Sequence, residues 1–287
     1  MSKTYNLPSI EELIDARVHI GHQIKKWHPN MEPYIYAGKK GIHVIDLEQT
    51  IISLEKACDA AYNLAKEGKK IVFVGTKRQA KDIVELEAKN CGAMYVTERW
   101  LGGTITNFPM LRKSIKKLLD YKEKKEKGEF SKYTKRERLL IDREIEKLER
   151  YFGGLTTLTT NPDALVIIDA KKEKTAIKEA QTKDIPVIAI VDTNTDPKTV
   201  NFAVAGNDDA IRSIAILLKS ISSAVEAGYK EYAQKAVKKE AEAKAAAEAI
   251  DETQTDVDID LDKLTITTAQ AAHITKEAEE EPLSTQE

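Results

Sequence analysis

The chain has 287 residues, 41% of them hydrophobic and 32% charged, with a formal net charge of −2. That suits one sizeable domain with appendages, or two small domains, and carries too much apolar content for a disordered chain. No apolar run approaches the ~20 residues of a membrane-spanning helix, no apolar stretch follows Met1, and Cys58 and Cys91 are the only cysteines, so a helical membrane protein, a disulfide scaffold and an all-cysteine zinc site are excluded, no signal peptide is expected, and a reducing cytosol is.

The small net charge hides a split. From Tyr229 to the end there are 7 Lys/Arg against 15 Asp/Glu, whereas 112–150 holds 15 against 9. A near-neutral body, a basic arm and an acidic tail call for different partners.

In chain order, Ile42–Asp46 reads as a strand and Leu47–Glu67 as a long helix. Lys70–Gly75 is a continuous apolar run ending in Gly, as for a strand buried on both faces. Lys77–Asn90 reads helical, and Ala93–Val96 as a short strand. Ala164–Asp169 and Pro186–Asp192 are two more buried strands flanking a short helix over Glu173–Thr182. Asp208–Glu226 is a helix with Gly228 just past its end. This alternation predicts an α/β fold with a parallel sheet covered on both faces.

The basic segment interrupts the alternation. Leu111, Ile115 and Leu118 form one apolar stripe, and Ile141, Ile145, Leu148 and Phe152 another. Gly128 marks a tip between them. An antiparallel helical hairpin over 109–152 is therefore expected, inserted between 1–108 and 153–228 of the α/β domain and bracketed by Gly102-Gly103 and Gly153-Gly154. Its lysines suit either a solvated face or an arm that binds phosphates. After Gly228 the composition turns to an Ala/Lys/Glu-rich helix up to Ala249. From Asp251 a Thr-rich acidic tail is expected to be disordered, which completes a terminal region of 229–287.

Three strands end in aspartate, Asp46, Asp169 and Asp192. Carboxyl ends of parallel strands are the usual ligand side of such sheets. Clustered there, the carboxylates would hold magnesium for phosphoryl transfer; separately, each would cap the next helix or turn. Val74-Gly75-Thr76-Lys77-Arg78 is a strand–turn–helix that lacks the glycines of a nucleotide loop, so its cations suit an RNA phosphate better. His19, His22 and His28 lie close in sequence but lack carboxylates at ligand spacing. Lys25-Lys26-Trp27-His28 is a basic-aromatic loop suited to backbone contact and stacking on nucleic acid, and Arg99-Trp100 repeats the pairing beside the hairpin root. Each Trp equally suits a core plug.

Several of these segments, in order, resemble the family of the second small-subunit ribosomal protein of bacteria, the universal S-two family. They are Ala16-Arg17-Val18-His19-Ile20-Gly21-His22, Trp27–Tyr36, Gly41–Leu47, Phe73–Ala80, Arg99–Phe108, Pro186–Asn194 and Gly206–Ser213, and the likeness runs from about Leu13 to Gly228. The resemblance implies a flavodoxin-like, doubly wound parallel sheet with an inserted helical (coiled-coil) hairpin. It implies a structural, non-enzymatic constituent of the cytoplasmic 30S subunit, or of an organellar ribosome, supporting translation. Family members bind ribosomal RNA where head meets body, on the solvent side, beside other small-subunit proteins, and many help anchor the large mRNA-binding ribosomal protein. Three departures stand out: Arg17 replaces a usual Gly, Ala37–Lys40 differs from a Gly-Ala-Arg stretch, and Ala205 replaces a common Pro.

The RNA-binding candidates are thus Lys25, Lys26, Trp27, His28, Lys77, Arg78, Arg99, Lys113, Lys116, Lys117, Lys124, Lys125, Lys132, Lys135 and Arg136. No catalytic residue, resident metal, cofactor or membrane partner is expected. The acidic tail should point away from RNA. The alternative is a magnesium-dependent phosphoryl-transfer enzyme using Asp46, Asp169 and Asp192.

Overall fold

The first strands do not join the parallel sheet that strand–helix alternation predicts for Ile42–Asp46. In the computed structural model, which describes residues 5–237, a short helix α1 (Ile10–Asp15) is capped by Ser9 and Glu12, which bond each other's backbone N–H. It leads into β1 (Ile20–Gln23), β2 (Ile35–Lys39) and β3 (Ile42–Ile45), which pair antiparallel in the order β1-β3-β2. The cause is local. Lys40 and Gly41 have φ of 52° and 81°, a two-residue hairpin turn that matches strand twist, whereas a parallel strand needs a long crossover.

Arg17 has φ 61°. Its backbone is left-handed, and its carbonyl is fixed there by the Asn207 amide at 3.1 Å. Left-handed geometry costs a side-chain-bearing residue roughly 1 kcal/mol. Arg17→Gly is expected to raise the unfolding midpoint, gaining about 0.5–1 kcal/mol in urea melts; an unchanged or lower midpoint would show that the Arg17 side chain outweighs the strain.

Asp46 then caps α2 (Leu47–Lys66), accepting from the Glu48 N–H at 2.9 Å. Five strands follow, β4 (Ile71–Val74), β5 (Met94–Val96), β6 (Ala164–Ile168), β7 (Val187–Val191) and β8 (Phe202–Ala205). All pair parallel in the order β5-β4-β6-β7-β8. Counted among themselves, that is the 2-1-3-4-5 order of flavodoxin-like sheets. Alternate side chains divide the core. Ile71, Phe73, Val166, Ile168, Ile188 and Ile190 face one layer, and Val72, Val74, Leu165, Ile167, Val187 and Ala189 face the other.

The first layer holds α1, α2, α3 (Lys81–Cys91) and α7 (211–232 of this unit). Gly228 lies inside this helix rather than past its end. A Cβ there would stand 2.6 Å from Ala65 Cβ and 2.6 Å from the Tyr62 carbonyl. The glycine is present because α2 and α7 approach backbone to backbone over the small residues Ala57, Ala61 and Ala65. The second layer holds α6 (Lys174–Thr182) and the root of a hairpin formed by α4 (Phe108–Glu126) and α5 (Lys135–Phe152). Leu111, Ile115, Leu118, Ile145 and Phe152 of the expected stripes are buried. Lys117–Glu144, Lys122–Glu149 at 2.5 Å and Lys125–Asp142 at 2.7 Å bind the two helices side to side. Phe130 meets Tyr121 and Tyr133 edge-on near the tip, where Gly128 has φ 69°.

A second unit begins at Ala233, and its described residues, 233–237, are helical. The remaining expectations for the terminal region, a helix to Ala249 and an acidic tail, fall outside the described residues.

Candidate nucleic-acid interface and the strand-end cluster

At the carboxyl ends of β4, β6, β7 and β8 the loops bring four carboxylates together. Asp169 follows β6 and Asp192 follows β7, while Asp208 and Asp209 follow β8. Lys77, from the turn after β4, reaches into them. Its Nζ lies 2.6 Å from Asp209, 2.8 Å from Asp208 and 3.5 Å from Asp169. His22 Nδ1 sits 3.0 Å from Asp192, and its Nε2 3.5 Å from Asp209. Burial tends to lower the Lys77 pKa, but the Asp208 and Asp209 carboxylates outweigh it and raise it. The Lys77 side chain is only 13% exposed. Its expected phosphate contact therefore gives way to a role as counter-ion of the domain's own acids. α3 starts at Lys81 rather than Lys77, leaving 77–80 as the turn that delivers this side chain.

His22, Asp208 and Asp209 place three ligand atoms within 4.8 Å of one another, the best metal-ligand set among the described residues. Lys77 fills it with a charge of its own. The crevice between β4 and β6, where strand order reverses and nucleotides bind in such sheets, is closed likewise. Lys172 Nζ donates to the Thr76 carbonyl at 3.0 Å, and the Thr76 hydroxyl donates to Glu173. Asp46, just past the end of the antiparallel β3, caps α2, and Asp169 accepts from the Lys172 N–H at 3.0 Å. Asp192 accepts from the backbone and hydroxyl of Thr193. The three aspartates of the magnesium reading thus do capping and turn work.

Burial pushes the Asp208 carboxyl up to about 7, with the charges of Asp169 and Asp192 adding to it and Lys77 opposing. The hydrogen bond to Asp192 raises His22 above its ordinary value. An acid with a raised folded pKa binds a proton in the folded state that the unfolded chain has released, so stability falls as pH rises from about 4 to 7. A raised histidine contributes stability below about 6.5 that is lost as pH climbs through its folded value. Both signs agree. The urea midpoint is expected to decline from pH 5.5 to 8, and Asp208→Asn to flatten the decline; equal slopes in both proteins would rule the cluster out as its origin.

The hairpin root is held by a residue that sequence patterns give no reason to single out. Glu179, on α6 and 8% exposed, accepts from the N–H groups of Gly103 at 2.8 Å, Ile105 at 3.0 Å and Thr106 at 3.1 Å. It also accepts from the Thr106 hydroxyl at 3.1 Å and Trp100 Nε1 at 3.2 Å. Burial raises its pKa, and the backbone donors outweigh that, so the net shift is downward. The one available signal was its position on the face of α6 that also carries Ala176 and Ala180, both buried. Trp100, 6% exposed, is a core plug.

The remaining candidates divide by partner. Lys117 and Lys125 are committed to the hairpin's internal pairs. Lys25, Lys26, Arg78, Arg99, Lys113, Lys116, Lys124, Lys132, Lys135 and Arg136 are all exposed and form no ion pair among the described residues. Trp27 shows one side, 37% exposed, and rests the other near His43, ring centres 5.3 Å apart. His28 Nδ1 accepts from the Asn30 N–H at 3.2 Å, leaving Nε2 to donate outward. The three neighbouring histidines have different partners: His22 joins the acids, His28 caps a turn, and His19 Nδ1 is buried without a partner. Lys171, Lys174 and Lys178, on and before α6, add three exposed, unpaired cations that the sequence analysis did not single out. Both cysteines are buried and form no disulfide; the Cys91 thiol donates to the Ala88 carbonyl, and burial pushes it up to about 11.

Comparison with known proteins agrees with this arrangement. The family described as Ribosomal protein S2 matches residues 13–228. The Small ribosomal subunit protein uS2 of Dictyoglomus thermophilum is 47% identical over 219 residues, covering 76% of this chain and 89% of the relative. That of Roseiflexus sp. is 46% identical over 222 residues, covering 77% and 85%. That of Cytophaga hutchinsonii is 47% identical over 221 residues, covering 77% and 87%. With most of the body matched and the flavodoxin-like strand order in place, the chain belongs to the ribosomal protein S2 family.

Proposed function

We propose that this chain, a structural and non-enzymatic protein of the small ribosomal subunit by its family, binds ribosomal RNA through the outer face of the hairpin and the Lys25–His28 loop. The observation that carries the reading is the division of charge. Lys77 is held by the strand-end acids, and Lys117, Lys122 and Lys125 are each held by a carboxylate of the facing hairpin helix. The hairpin's Lys113, Lys116, Lys124, Lys132, Lys135 and Arg136 are left exposed and unpaired, as a phosphate-binding face requires. Arg78 and Arg99 extend the same chemistry to the body. Trp27 offers an aromatic face for an unpaired base beside Lys25 and Lys26.

The resemblance supports a place at the junction of head and body on the solvent side. It also adds a neighbour, the large mRNA-binding ribosomal protein, for which this chain would serve as part of the dock. Sedimentation of a lysate through sucrose tests the reading. The protein is expected to migrate with small subunits and whole ribosomes and to stay through a high-salt wash. Residence at the top of the gradient under both conditions would sink it.

A further inference from the structure

A cavity of about 300 Å³ opens between α6 and the loop that follows β7, and no strand-end aspartate lines it. Its floor is apolar, made by the buried Ala170 and Ile177. One rim carries Lys171, Lys174 and Lys178. All three are exposed and unpaired; the last two are i, i+4 neighbours, which stand about 6 Å apart on one helix face. The opposite wall is Asn194, Thr195 and Asp196. Gln181 Nε2 donates to the Thr199 carbonyl at 2.9 Å and closes one end. The cavity is thus braced in the free protein.

The polar groups of the far wall are partly spent and partly free. The Asp196 carboxylate accepts from Asn30 Nδ2 at 2.9 Å and from the Lys198 N–H at 3.0 Å. It is thereby fixed as an acceptor on the wall. Asn194 Oδ1 accepts from the Thr195 hydroxyl at 2.8 Å, which leaves its amide N–H groups to donate. An apolar floor, one donor and one acceptor opposite, and a line of cations along the rim match the parts of a nucleotide: base face, base edge and phosphates. His28, at the end of the basic-aromatic loop, also lines the cavity, so the cavity is continuous with the surface already assigned to RNA.

We propose that this cavity receives a single unpaired nucleotide of ribosomal RNA, its base on Ile177 and its flanking phosphates on Lys171, Lys174 and Lys178. The proposal rests on the RNA-binding reading and goes further by naming a pocket that reads an unstacked base. An acidic peptide would use the lysines but has no need of the apolar floor or of the base-edge groups.

The test is chemical footprinting of ribosomal RNA in small subunits assembled with the full chain, compared with the Lys174→Glu/Lys178→Glu and Ile177→Trp variants. In wild-type particles one or two unpaired nucleotides should be protected at the base. Both variants should return those same nucleotides towards the reactivity they have in free RNA, with the hairpin footprint intact. If a variant does not enter the particle, the footprint is read on purified ribosomal RNA at saturating protein. If Ile177→Trp does not fold, the surface lysine pair decides alone. A wild-type footprint that neither variant changes overturns the pocket and leaves the RNA-binding reading standing. No footprint from the wild-type protein overturns both. A benzophenone photo-cross-linker placed at Thr199 should attach to RNA; attachment to a neighbouring protein alone also overturns the pocket and gives it to a peptide.

Discussion

Replacing Glu179 with Ala is expected to destabilise the body by about 3 kcal/mol or more and to loosen the hairpin first. The carboxylate gathers three backbone N–H groups, a hydroxyl and an indole N–H from 100–106. Those donors belong to the stretch that turns the chain from the sheet into α4. Without the acceptor the buried Ile105 N–H and Trp100 Nε1 lose their partner, and each unsatisfied buried donor costs about 1–3 kcal/mol. Glu179→Gln should recover part of the loss, because its oxygen can accept while its amide meets donors head-on. The measurement is hydrogen exchange at Gly103, Ile105 and Thr106 alongside a thermal melt. Fast exchange at those three amides with slow exchange in β6 and β7 is the expected pattern. Retained protection there would mean that the loop is held by something other than this carboxylate. The lowered pKa of Glu179 sets the sign against acid. Its contribution is present above the ordinary carboxylate range and is lost as pH falls through the depressed folded value.

Reversing the unpaired hairpin cations, Lys113, Lys116, Lys124 and Lys132 to Glu together, should lower affinity for ribosomal RNA by about 100-fold or more near 0.1 M salt. The slope of log affinity against log salt should shrink by about three, since each lost phosphate contact removes about 0.7–0.9. Helix content should not change, because none of the four side chains is buried or engaged in the interhelical pairs. The control is Lys117→Met with Lys125→Met. Those lysines serve Glu144 and Asp142, so their loss should weaken the hairpin slightly and leave the salt slope nearly intact. Equal effects of the two sets would remove the distinction between pairing and RNA-facing lysines. An unchanged slope in the fourfold variant would take the hairpin out of the RNA-binding account.

These two predictions mark where local sequence stops being informative. β4, β6 and β7 were readable because strands buried on both faces are apolar without interruption. The hairpin stripes were readable because helical spacing repeats within a few turns. β3 was misplaced in the parallel sheet, since whether a strand pairs parallel or antiparallel depends on its connections. Here that turned on the two-residue turn at Lys40-Gly41. Gly228 looked like a helix end because glycine usually is one; its reason is a neighbour on α2, more than 160 positions earlier in the chain. Glu179 bonds donors more than 70 positions away, and a lone carboxylate on a short helix carries no mark of that. Lys77 was the hardest to place, because a lysine in a strand–turn–helix reads the same whether it reaches outward to a phosphate or inward to three aspartates.

The inward reach of Lys77 has a consequence for how the strand-end loops are held. A cation on a covalent tether has an effective concentration that no dissolved ion matches, and it cannot be stripped by a chelator. Lys77 thus stands where a dissolved cation would otherwise have to be captured, and the loops after β4, β6 and β8 are tied together by the chain itself, so their arrangement is inherited with the sequence and not set by the surrounding solution.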